Sequence, residues 1–140
     1  MIVLDTTVLV YAKGGDHPLR QPCMALLEAV AAGLIEATTT PEVIHEFVHV
    51  RARRRSRGDA ADLGHAFAEL LSPLLIIDER HLTAGLELFR RLTSLGAFDA
   101  VLAATAIDSE AQAIVSADRT FSRVPGLRHL APAEANLGIA

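Results

Sequence analysis

The chain has one cysteine, Cys23, in 140 residues. An internal disulfide is excluded, and the composition fits a reducing compartment. Aromatic residues make up only 4% of the chain, so the core is expected to be aliphatic, built from Leu, Val, Ile and Ala. No apolar stretch approaches the roughly 20 residues that a membrane-spanning helix needs. The apolar start is short, has no basic leader and runs straight into Asp5, so it does not read as a signal peptide. The formal net charge of −4 argues against a basic coat for nucleic acid over the whole surface. A local basic patch remains compatible with it. There is no internal repeat and no low-complexity segment. These absences lead to the expectation of a soluble cytoplasmic protein with no membrane partner.

What is abundant is hydrophobicity, at 51% of residues. Such a chain is too apolar for disorder and long enough to bury a core without staples. One domain spanning residues 1–140 is expected. Met1 to Leu4 reads as a buried strand that ends at Asp5-Thr6-Thr7. A loop at Lys13 to Pro18 leads to a helix from Pro18 to Ala32, stopped by Gly33. Leu34 to Thr39 is a second strand candidate. Thr40-Pro41-Glu42 is a helix start, with Thr as cap, Pro in the first turn and an acid beside it. That helix should run to about Arg54, with Gly58-Asp59 separating it from another over Ala60 to Leu71. Leu74 to Ile77 reads as a third strand, and Asp78 as the cap of a helix over Glu79 to Ser94. Phe98 to Ile107 is apolar nearly all round and should be a buried helix. Ala113 to Val115 reads as a fourth strand and Leu127 to Leu130 as a short fifth. Strands alternating with helices imply an α/β fold with a mostly parallel sheet covered on both faces and right-handed crossovers.

Two acids stand at the ends of apolar strands, Asp5 straight after Leu4 and Asp118 in the Ser116-Ala117-Asp118 that follows Val115. If those strands are parallel, both emerge at one edge of the sheet, where open α/β sheets bind ligands. Asp99 stands in the first turn of the buried helix, and Glu46 lies between apolar neighbours on another. Each has a plainer use: Asp5 as a helix cap, Asp99 as a first-turn acid, Asp118 as a turn starter, Glu46 as a surface residue. Taken together, buried acids call for a partner or a cation. Oxygen-only ligands select Mg²⁺ or Mn²⁺. Such a metal can activate water and clamp a phosphate, so the chemistry implied is phosphodiester hydrolysis.

Val3-Leu4-Asp5-Thr6-Thr7-Val8-Leu9-Val10, Glu46 within Pro41 to Phe47, Phe98-Asp99-Ala100-Val101-Leu102-Ala103-Ala104, and Ser116-Ala117-Asp118-Arg119-Thr120-Phe121 occur in that order across almost the whole chain. In this pattern the chain resembles a PIN domain of the VapC toxin type. The resemblance implies a three-layer α/β/α sandwich and a metal-dependent endoribonuclease. Asp5, Glu46, Asp99 and Asp118 would take the places of the family's acidic quartet. Thr7 and Ser116 would supply supporting hydroxyls. It also implies an antitoxin protein as partner and a homodimer. Many relatives carry a further acid two residues after the last Asp; here that position is Thr120, which puts a second metal in doubt.

Two further features compete for attention. His45-Glu46-Phe47-Val48-His49 is a literal H-E-x-x-H, the zinc metalloprotease pattern. Its extended form fails, because Ala52 and Arg55 stand where Gly and a third His belong; Glu69 is available as a third ligand. The zinc reading leaves Asp5, Asp99 and Asp118 unexplained. A basic run holds Arg51, Arg53, Arg54, Arg55 and Arg57, candidates for contact with an RNA substrate through phosphate, or simply cations favoured at a helix C-terminus. A PIN-fold binding module without catalysis is the other alternative. His17, His65, His81 and His129 are expected to be ordinary surface residues.

Overall fold

The computed structural model describes residues 1–138. Among these, four strands form one sheet: β1 (Ile2–Leu4), β2 (Ala37–Thr38), β3 (Ala113–Val115) and β4 (His129–Leu130). The helices are α1 (Thr6–Ala12), α2 (Arg20–Ala31), α3 (Pro41–Arg54), α4 (Arg57–Leu70), α5 (Glu79–Arg91), α6 (Ala97–Asp108) and α7 (Pro132–Gly138). A short 3-10 turn covers Arg119–Arg123. The sheet order is β2-β1-β3-β4 and every pairing is parallel. Val3 sits between Thr38 and Ile114, and Leu4 lies opposite Val115.

Every residue of β1 and β3 is fully buried. Apolar runs without alternation have to be covered on both faces, and helices supply that cover. This is the α/β sandwich with a parallel central sheet that the sequence implies. The chain leaves β1 toward β2 on one side and returns to β3 on the other. The β1/β3 boundary is therefore the point where strand order reverses, and the crevice beyond their carboxyl ends is where such sheets bind ligands.

Local chemistry sets the helix starts. Thr40 Oγ1 accepts from the Val43 amide, and Asp78 accepts from the amides of Arg80 and His81. These caps satisfy amides that an α-helix leaves without partners. Gly85 of α5 lies so close to α6 that a Cβ there would stand 2.6 Å from Val101 Cα. At the far end of this hairpin, His81 Nδ1 accepts from the Asp78 amide at 3.0 Å, so Nε2 carries the hydrogen and donates to Asp108 at 2.8 Å. His81 is buried, not the surface residue expected.

Three expectations change. Leu74 to Ile77 is not a strand: its link to the sheet is one hydrogen bond, Leu75 N to Thr39 O, and Ile76 is exposed. An apolar run next to a two-residue edge strand found too little backbone to pair with. The helix expected from Ala60 starts at Arg57, because Ser56 Oγ caps the Asp59 amide and brings Gly58 and Asp59 into its first turn. The helix expected to reach Ser94 stops at Arg91, and Gly96 caps the start of α6. Pro132–Gly138, a stretch with no strong signal in the sequence, forms α7, packed against α2.

Candidate active site

Asp5 lies at the carboxyl end of β1 and is almost wholly buried, at 3% exposed. As the N-cap of α1 it accepts weakly from the Thr7 amide at 3.5 Å, and the same Oδ2 accepts from the Thr7 hydroxyl at 2.9 Å. Ser116, one residue past β3, donates its hydroxyl to that oxygen at 2.6 Å. Ser116 Oγ in turn accepts from the Asp118 amide at 2.9 Å, and Thr7 Oγ1 accepts from the Ala117 amide at 3.0 Å. Two hydroxyls thus lock the ends of β1 and β3 together and fix the Asp5 carboxylate. His129 of β4 adds a bond from the other side, its Nε2 lying 2.9 Å from Ser116 O. It is a supporting residue rather than a surface one, and its ring stacks on Phe121 at 6.4 Å.

Asp118 is half-buried and accepts from the Thr120 amide at 2.9 Å, which starts the 3-10 turn. Asp99 stands half-buried in the first turn of α6. Burial pushes its carboxyl up to about 7, and the charges of Asp5, Asp118 and Glu46 push in the same direction. Glu46 of α3 is also raised, first by burial and then by Asp5; Thr6 and His49 pull it back. The four acids from four separate segments therefore lie within electrostatic reach of one another at the sheet edge. None of the helices or strands could carry all of them.

Among the described residues, no three His, Cys, Asp or Glu side chains stand close enough to hold a metal ion as they are placed. The carboxylates repel one another, and a shared cation would require their side chains to turn inward. The donor set suits a hard cation, being oxygen throughout. Two buried hydroxyls in this region, Thr6 Oγ1 and Thr120 Oγ1, have no hydrogen-bond partner. Buried polar atoms are normally satisfied. Thr6 lowers the Glu46 carboxyl without reaching hydrogen-bond geometry, and in the sequence a Thr beside Thr7 carries no distinct signal.

The H-E-x-x-H segment divides. His45 and His49 are exposed and line a groove between α3 and α4. Glu46 responds to Asp5 and is not among the groove's residues, and neither is Glu69. The three groups of a zinc protease do not share one cavity here. The basic run divides as well. Arg51 is half-buried and committed: it pairs with Asp59 at 2.5 Å and donates to Lys13 O at 2.6 Å. Arg53, Arg54, Arg55 and Arg57 are exposed.

The family model for the PIN domain matches residues 2–127. The chain belongs to the PIN-domain family. Within it, Ribonuclease VapC7 of Mycobacterium tuberculosis is 52% identical over 98% of this chain and 95% of its own length. Ribonuclease VapC23 of the same species is 35% identical over 71% of this chain and 78% of its own. Those relatives place this PIN domain in the VapC branch, as its motifs imply. Among solved structures, VapBC2 from Rickettsia felis, bound to a DNA fragment from their promoter, aligns with a TM-score of 0.73 at 22% identity. It covers 94% of this chain and 98% of that one, and supports the PIN fold.

Proposed function

We propose that this PIN domain, spanning 1–140, is a Mg²⁺- or Mn²⁺-dependent endoribonuclease and the toxin of a toxin–antitoxin pair. The observation that carries the reading is the position of Asp99, whose carboxyl is raised to about 7 by burial and by Asp5, Asp118 and Glu46. Surroundings that displace an acid so far mark functional sites more often than structural ones. The ribonuclease names of the VapC relatives supply the reaction class.

Asp5, Glu46, Asp99 and Asp118 would hold the ion. When bound, it would supply charge neutralisation and a water acidic enough to attack phosphorus. The chain's own part is preorganisation. Thr7 and Ser116 hold Asp5 in one orientation, so this carboxylate is fixed in advance and the other three would turn toward it. With its carboxyl raised to about 7, Asp99 is divided between its protonated and charged forms near neutrality, and a bound cation would favour the charged form. The buried floor of β1 and β3 keeps water from entering beneath the site.

Two partners are proposed besides RNA. The printed title of the Rickettsia felis neighbour describes a VapBC assembly, which supports a cognate antitoxin. A second copy of this chain is proposed for the apolar stripe Leu82, Leu86 and Phe89, each nearly half exposed, which continues onto Phe98 beside Asp99. Apolar patches of this kind mark association surfaces. Cytoplasmic residence is proposed from the lone thiol; among the described residues no helix is long and apolar enough to cross a membrane.

The test is incubation of purified protein with a structured RNA pool, in Mg²⁺, Mn²⁺, Zn²⁺ or chelator. Cleavage in Mg²⁺ or Mn²⁺ that stops with chelator is the expected result. Intact RNA under every metal would leave only a binding module.

A further inference from the structure

His45 and His49 are left over by the acid site. They stand one turn apart on α3 and both are exposed. With Arg57, Ala52, Ala60 and Ala61 they line a groove of about 410 Å³ between α3 and the first turn of α4. No acid lines this groove, although the whole chain carries a net charge of −4. Its alanines leave room for a close approach. The groove adjoins the acid site through α3 itself, because Glu46 follows His45 directly in that helix. Exposed Arg53 lies one turn beyond His49.

We infer that this groove holds a single-stranded RNA segment next to the phosphate at the acid site, a conclusion that rests on the ribonuclease reading. Arg57 grips a flanking phosphate with its planar fork. The two imidazoles stack on an unpaired base or donate to its edge, as histidines do in RNA sites. A zinc ion fits worse: Arg57 in the same groove repels it, and two histidines leave the ion short of protein ligands. The basic run then has three uses rather than one. Arg51 braces α3 against α4, Arg57 contacts RNA in the groove, and Arg54 and Arg55 face a separate small cleft beside Gly14 and Gly15.

The test is binding of a short, fluorescein-labelled, mixed-sequence RNA in chelator and mildly alkaline buffer, with the probe checked for integrity. Arg57→Ala is expected to weaken binding several-fold and to lower the slope of log affinity against log salt by about 0.7, the share of one phosphate on a single strand. The double variant His45→Ala/His49→Ala is expected to weaken binding with the slope unchanged, since stacking and base-edge contacts release no counterions. Arg90→Ala, on exposed α5, should bind like the wild type. Under turnover, the groove variants should raise KM and leave kcat nearly unchanged. Groove variants that bind like the wild type, an equal loss in Arg90→Ala, or a wild type that binds no RNA would each overturn the inference. Cleavage by the wild type with normal KM in the groove variants would overturn it and spare the ribonuclease reading. RNA bound through the groove but never cut would do the reverse.

Discussion

Ser116 donates its hydroxyl to Asp5 Oδ2 at 2.6 Å across a separation of 111 residues. The same Ser116 oxygen accepts from the Asp118 amide. One small side chain therefore sets two of the four acids. Ser116→Ala removes a bond to a buried carboxylate and is expected to destabilise the fold by about 1–3 kcal/mol. It should also lower kcat, because Asp5 would be held by Thr7 alone. Denaturant unfolding and single-turnover cleavage, run on the same preparation, check the two effects. A variant with wild-type values in both would show that the bond positions nothing.

Asp99 makes stability depend on pH in an unusual direction. Its carboxyl has an ordinary value of 3.8 and sits at about 7 in the fold. Between those values the folded chain keeps a proton that the unfolded chain has released. Stability from this group is therefore complete below the lower value and is lost as pH rises through the upper one. Allowing for solvent screening of a half-buried group, the loss is about 1–2 kcal/mol. In metal-free buffer, the melting temperature should fall across this window, and Asp99→Asn should flatten the fall. Added Mg²⁺ should bind more tightly as pH rises toward 7 and then level off. A melting temperature equally steep in both proteins would assign the effect to other groups.

The α5–α6 hairpin sets where Asp99 stands. A methyl group at Gly85 would press on the Val101 backbone at 2.6 Å. Backbone cannot rotate away, so Gly85→Ala should destabilise by about 1–3 kcal/mol and lower cleavage by displacing α6. Gly58→Ala, where an added Cβ meets nothing within 4 Å, is the matched control and should change neither.

The apolar stripe on α5 should control association. Replacing Leu86 and Phe89 together by Glu is expected to convert a dimer to a monomer in sedimentation equilibrium while the melting temperature changes little. A wild-type protein that is monomeric at all concentrations would remove the second copy from the account.

Much of this was legible beforehand, for physical reasons. Short, fully apolar runs marked β1 and β3, one ending at Asp5 and the other at Ser116-Ala117-Asp118, and the parallel sheet then placed both acids at one edge. Thr40-Pro41 announced α3 through cap chemistry, and the order of the motifs carried the PIN family. Contacts between distant segments were not legible. His81 and His129 looked like surface residues because their partners, Asp108 and the Ser116 carbonyl, come from other elements. Arg51 looked like part of a free patch because Asp59 is its neighbour only after α3 and α4 pack. Leu74 to Ile77 read as a strand on composition, yet the two-residue β2 beside it offers little edge to pair with. Leu82, Leu86 and Phe89 recur at helical spacing, and such spacing alone does not say whether the apolar face meets the chain's own core.

The central claim is that four carboxylates from separate segments make one cation site. Titration of Mn²⁺ followed by electron paramagnetic resonance tests it directly, on the wild type and on Asp5→Asn, Glu46→Gln, Asp99→Asn and Asp118→Asn, each confirmed folded by circular dichroism. Saturable binding in the wild type, weakened about tenfold or more in the folded variants, is the predicted result. A wild type that binds no Mn²⁺, or variants that bind it as the wild type does, would contradict the account.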